Sequence, residues 1–110
     1  MSDIIRTRSA DKEWKALPEE GSHIKVLRID KETGQQAVLL RMDPGTRYPT
    51  HLHPGGEDVY VIDGSVQLGA DTLGPGDYLY TPPGGIHAVW SKEGCTMLIL
   101  VGRPIEFVKA

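Results

Sequence analysis

Residues 45–64 read Gly-Thr-Arg-Tyr-Pro-Thr-His-Leu-His-Pro-Gly-Gly-Glu-Asp-Val-Tyr-Val-Ile-Asp-Gly, and the two histidines one residue apart decide how the rest of the chain is read. In a strand, residues i and i+2 face the same side, so His51 and His53 present two imidazoles to one surface. Pro54, Gly55 and Gly56 then bend the backbone sharply enough to bring Glu57 back toward the same point. A third imidazole, His87, follows a second stretch punctuated by glycine and proline, and from a separate strand it would complete a shell rich in nitrogen and oxygen. The chain therefore reads as a metal-binding β-barrel.

The chain's bounds limit what such a site belongs to. With 110 residues there is room for one domain and one core. The net charge is -3, and the basic residues are scattered from Arg6 to Arg47 rather than gathered on one face, so nucleic acid is not an expected partner. The one cysteine, Cys95, has no partner for an internal disulfide, which suits a reducing compartment and a buried thiol. No apolar run has the length of a signal peptide or of a membrane span, so a soluble, cytoplasmic protein is expected with no membrane contact.

Short apolar or alternating runs recur between turn signals, the spacing of an all-β barrel. The expected strands are Asp3–Arg8, His23–Ile29, Gln36–Met42, Asp58–Ile62, Ser65–Leu68, Tyr78–Tyr80, Ile86–Trp90, Cys95–Val101 and Ile105–Val108. Asp63-Gly64 is the clearest hairpin signal, while Gly74-Pro75-Gly76 and Pro82-Pro83-Gly84-Gly85 mark further turns. Residues 11–20 fit a short helix or an irregular arm, with Trp14 and Leu17 available to pin it to the barrel. If Glu57 points inward, so do Val59 and Val61, and Tyr60 and Ile62 face away; if His87 points inward, Val89 and Ser91 follow while Ala88 and Trp90 face out. Asp3–Arg8 has the length and β-branched content of an edge strand that pairs with a second copy, so a homodimer is expected.

These residues match a known pattern. Gly45-x5-His51-x-His53-x3-Glu57-x6-Gly64 fits the first motif of the cupin superfamily, and Gly76-x5-Pro82-x-Gly84-x2-His87 fits the second, with Ser91 where that motif often ends in asparagine. The resemblance covers roughly residues 23 to 103 and implies a single cupin barrel, a double-stranded β-helix or jelly roll, over 23–110, with 1–22 as a strand or arm packed on it or on a dimer partner. The wording around both motifs resembles the branch containing the sensor domain of zinc-dependent anti-sigma factors and small oxygenases such as acetylacetone-cleaving dioxygenase. Anti-sigma factors of that kind carry a separate helical domain with a His-x3-Cys-x2-Cys motif, for which this chain has neither the length nor the cysteines. A complete anti-sigma factor is not expected.

The resemblance implies that His51, His53, Glu57 and His87 are the ligands of one divalent transition metal, iron, manganese, nickel, cobalt or zinc. The physical reading agrees, since calcium or magnesium would want more oxygen donors. Four protein ligands leave one or two positions for a substrate oxygen, water or dioxygen. Three functions follow: a dioxygenase acting on a small enolisable ketone, with Glu57 as fourth ligand or as a catalytic base released when substrate binds; a non-catalytic sensor or small-molecule binding module; or a metal-dependent isomerase or hydrolase. The absence of a partner domain favours the enzyme. His23 lies outside both motifs and reads as an ordinary surface or strand histidine. Arg41 and Arg47 are the cations nearest the first motif, but a solvated face is the expected place for both.

Overall fold

Alternation governs this fold. The computed structural model describes residues 3–103 and 106–107. Its strands are β1 (Lys15–Ala16), β2 (Ser22–Ile29), β3 (Gln36–Met42), β4 (Thr46–His53), β5 (Glu57–Gly64), β6 (Val66–Leu68), β7 (Asp71–Leu73), β8 (Tyr78–Thr81), β9 (Gly85–Ser91), β10 (Cys95–Val101) and β11 (Glu106–Phe107). They form two antiparallel sheets, one of six strands in the order β1-β2-β3-β10-β5-β8 and one of five in the order β11-β4-β9-β6-β7. Among the described residues no helix is long and apolar enough to cross a membrane.

The core lies between the sheets because every second residue of the long strands is apolar. Val38, Leu40 and Met42 of β3, Val59 and Val61 of β5, and Cys95, Met97 and Ile99 of β10 are buried from one side, and Val66, Leu68, Leu73 and Val89 from the other. The expected facing holds: Val59 and Val61 are buried with Glu57 while Tyr60 and Ile62 are exposed, and Val89 and Ser91 are buried while Ala88 is exposed. Tyr60, Tyr78 and Tyr80 lie on the outer face of the six-stranded sheet, where the Tyr78 hydroxyl donates to the Asp58 carboxylate.

Three expectations about secondary structure are corrected. Asp3–Arg8 forms no strand. β1 pairs with β2 at His23 and Ile24, and the segment before it is tied by the Thr7 hydroxyl donating to the Leu27 carbonyl and the Lys25 ammonium donating to the Ser9 carbonyl, each at 2.8 Å. Ile4 and Ile5 of this segment are exposed. Residues 11–20 form no helix beyond the end of a 3-10 turn at Ser9–Asp11 and, apart from the two residues of β1, are the irregular arm expected: Leu17 packs on the core, and Trp14 sits under the Lys25 ammonium and the Arg41 guanidinium, 4.9 and 4.7 Å from its ring.

Asp63-Gly64 is not a hairpin. β5 pairs with β10 and β8, β6 pairs with β7 and β9, and the dipeptide carries the chain from one sheet to the other. Gly64 has φ +75°, and a Cβ there would stand 2.0 Å from the Gly94 carbonyl oxygen, so the corner demands glycine for both backbone conformation and space. β4 and β7 extend beyond the expected strands. Of the expected strand Ile105–Val108, Glu106 and Phe107 pair with β4, whereas Ile105 and Val108 lie outside the described residues.

Candidate metal centre

Each histidine arrives by a separate local rule. His51 and His53 share a face of β4, and β9, paired antiparallel with β4, places His87 directly across from His51. β4 is irregular between Tyr48 and His51, which re-aims its end inward. The chain then leaves the five-stranded sheet: the Gly56 amide donates to the His53 carbonyl at 3.2 Å, Gly56 adopts φ +80°, and β5 begins in the opposite sheet with Glu57 facing back. The Gly84 amide donates to the same His53 carbonyl at 2.9 Å, tying the turn before β9 to the end of β4. The four side chains of the two motifs converge, three from one sheet and one from the other.

One ligand nitrogen from each of His51, His53 and His87 falls within 4.8 Å of the others, and the three could hold a metal ion. The Nε2 atoms of His53 and His87 are 3.0 Å apart, and one Glu57 carboxylate oxygen lies 3.5 Å from the first and 3.3 Å from the second. His51, His53 and Glu57 are buried, with His53 0% exposed. The His51 Nδ1 lies 2.8 Å from the Pro49 carbonyl oxygen, which can only accept, so Nδ1 carries the proton and Nε2 keeps its lone pair. The Nδ1 atoms of His53 and His87 are buried without a hydrogen-bond partner among the described residues. Burial lowers the tendency of His51 to protonate and pushes His53 down to about 4, against the weaker opposing pull of Glu57. Both rings are neutral at neutral pH, the form in which imidazole binds a metal.

The donor set fits a divalent transition ion. Two nitrogens bound at about 2.1 Å and at right angles to one another stand about 3.0 Å apart, which is the separation of His53 and His87 Nε2. Without such an ion, two imidazole nitrogens would meet each other beside a carboxylate at this largely buried point.

A cavity of about 230 Å³ opens against this cluster. Val38, Leu40, Val59, Leu68, Val89 and Met97 supply much of its wall, while His51, His87, Glu57, Tyr48 and Gln36 bring polar atoms to it. Tyr48 packs edge-on against the His51 ring, 5.4 Å between centroids, and its hydroxyl donates to the Glu19 carboxylate. Burial, reinforced by Glu19, pushes that hydroxyl's pKa upward and keeps it protonated. Leu17 also lines the cavity. Leu17, Glu19 and Gln36 lie outside the motifs and are absent from the ligand pattern; no local signal marks them, because the contacts that bring them in are long-range. His23 is elsewhere, 3.2 Å from the Asp43 carboxylate, and Arg47 is exposed with its guanidinium 4.6 Å from the Trp90 ring.

Known proteins carry the same architecture. Dimethylsulfoniopropionate lyase DddQ of Ruegeria pomeroyi is 29% identical over 72 residues, 61% of this chain and 36% of its own, so the chain spans about a third of that curated relative. An acetylacetone dioxygenase from Acinetobacter johnsonii superposes with a TM-score of 0.83 over 99% of this chain and 79% of the other at 14% identity, a likeness of fold. Rhodobacter sphaeroides SigE in complex with the anti-sigma ChrR gives 0.73 over 86% of this chain and 50% of the other at 26% identity. The described motifs, the two-sheet barrel and a family match spanning residues 2–104 agree, and the chain belongs to the ChrR cupin-like domain family.

Proposed function

We propose that this protein is a metal-dependent dioxygenase that cleaves a carbon–carbon bond in a small enolisable ketone, with His51, His53 and His87 as metal ligands and Glu57 as fourth ligand and base. The observation that carries this reading is the apolar cavity abutting three clustered imidazoles and a buried carboxylate. Its volume is below the roughly 300–1,000 Å³ of sites for drug-sized ligands, which favours a small substrate. A divalent ion bound there supplies Lewis acidity and, where redox-active, electrons. The apolar walls would exclude water around a bound ketone, and Glu57, a buried carboxylate in the lining, would be available to take a proton from the carbon next to its carbonyl group. Tyr48, protonated and held by Glu19, flanks the same space as a fixed dipole rather than as a base.

The experiment is oxygen uptake by iron-loaded protein with acetylacetone. Consumption that requires the ketone, and that is lost in His87→Ala, is expected; a metal-loaded protein that consumes no oxygen with this ketone or with a panel of phenolic ketones overturns the enzyme reading. A second reading, a metal-dependent sensor, is favoured by the family match and by the ChrR complex. It is separated by metal dependence, since a sensor binds its small molecule equally well with zinc.

A further inference from the structure

Among the described residues, no cationic side chain lines the cavity. The two arginines nearest the first motif in sequence are engaged outside it, Arg41 over Trp14 and Arg47 over Trp90. An ion held by three imidazoles and Glu57 would face one negative group or oxygen atom, but a second anionic group on the same molecule finds no counter-charge along the walls.

The N-terminal arm adds charge of the opposite sense. β1 is joined to β2 by a tight turn in which the Leu17 amide donates to the Ser22 carbonyl at 2.9 Å and the Ser22 amide donates to the Glu19 carbonyl at 3.0 Å. That turn is clasped to the barrel by the Asp43 amide donating to the Gly21 carbonyl at 2.8 Å, and Gly21 packs so closely on Thr46 that a Cβ at Gly21 would meet the Thr46 hydroxyl at 2.3 Å. The clasp fixes where the turn sits. Leu17 reaches the cavity wall, and the half-buried Glu19 accepts a hydrogen bond from Tyr48, itself a lining residue packed on the ligand His51. A carboxylate from outside both motifs is thus one hydrogen bond behind the wall of the space that a substrate would occupy.

We infer that Glu19 is a specificity-determining residue that admits uncharged substrates and turns away those bearing a carboxylate or phosphate. The inference rests on the ketone reading and narrows it: the substrate arrives neutral and becomes anionic only within the cavity, where its charge develops beside the metal ligands. Glu19 acts by its field rather than by contact with the reacting atoms. At a separation of several ångströms across partly solvated protein, one such charge changes the affinity of a small anion by about three- to tenfold.

The probe is azide, an anion that reports on access to the metal whatever the native substrate is, titrated into cobalt-loaded protein and followed by the visible spectrum. Glu19→Gln, similar in shape and uncharged, is expected to bind azide three- to tenfold more tightly than wild type, with the gain shrinking at high salt. Glu20→Gln removes the exposed carboxylate next to Glu19 in the same turn, outside the cavity lining, and is expected to stay within twofold of wild type. Thermal midpoints within a few degrees of wild type confirm that both variants fold. Equal azide affinity in wild type and Glu19→Gln, a gain of the same size in Glu20→Gln, or no azide binding in either wild type or Glu19→Gln overturns the inference. A Glu19-dependent azide effect in a protein that never binds or oxidises acetylacetone overturns the ketone reading alone.

Discussion

The Nε2 atoms of His53 and His87 lie 3.0 Å apart at the ends of two strands, while the Nδ1 atom of each ring is buried without a partner among the described residues. Two nitrogens so placed are spaced for a shared ion. Protein prepared without added metal is expected to carry about one divalent transition ion per chain by elemental analysis, and the double variant His51→Ala, His87→Ala to carry none. Because the ion binds the folded state alone, chelation should lower the wild-type thermal midpoint and leave that of the double variant unchanged.

Glu57 faces both of those nitrogens from the opposite sheet. Glu57→Gln retains the three imidazoles and is expected to keep its metal with reduced affinity. If the carboxylate is the base, oxygen uptake with an enolisable ketone should fall by about 10²- to 10⁴-fold. The pair of measurements, metal content and turnover, separates a lost ligand from a lost base.

Metal-free protein should lose stability as the pH falls. His53 is held near 4 in the fold against 6.5 for the free side chain, chiefly by burial. Above pH 6.5 both folded and unfolded states carry it neutral, and its contribution is complete. Between pH 6.5 and about 4 the unfolded chain takes up a proton that the fold refuses, so the midpoint in urea should drop across that interval. One such imidazole accounts for up to about 3 kcal/mol. His51, shifted in the same direction, adds to the slope. Denaturation at pH 7.5 and pH 4.5 after chelation checks this, and a flat profile would contradict it.

Two glycines with similar backbone angles should respond differently to alanine. Gly64 and Gly76 have φ of +75° and +86°, but a Cβ at Gly64 meets the Gly94 carbonyl whereas one at Gly76 meets nothing within 4 Å. Gly76→Ala is expected to cost about 1–2 kcal/mol, the penalty of the left-handed conformation alone. Gly64→Ala should cost more, because the corner between the two sheets must open. Chemical denaturation of both variants reads the difference directly.

Most of the centre was legible in local sequence. His51 and His53 share a face because strand side chains alternate, and the run Pro54-Gly55-Gly56 turns because of its backbone chemistry; both rules act over a few residues. The same alternation placed Val59, Val61, Val89 and Ser91 inward. Asp63-Gly64 misled because a turn dipeptide states that the chain reverses or bends, not which strand the next one joins. Asp3–Arg8 misled because β-branched residues are compatible with a strand but do not by themselves bring it into register with a neighbour.

The sequence by itself determined the candidate donors, most of the turn positions and the inward faces of the strands, since each depends on neighbours a few residues away. Only the tertiary structure decided that Glu57 reaches the histidines from the other sheet, that the turn of the N-terminal arm puts Leu17 and Glu19 beside Tyr48, and that Arg41 and Arg47 are spent on tryptophans outside the cavity. Those placements depend on which strand edges pair across tens of residues. That choice is set by burial of the whole core and by the edges left unfilled, and no short stretch of sequence contains it.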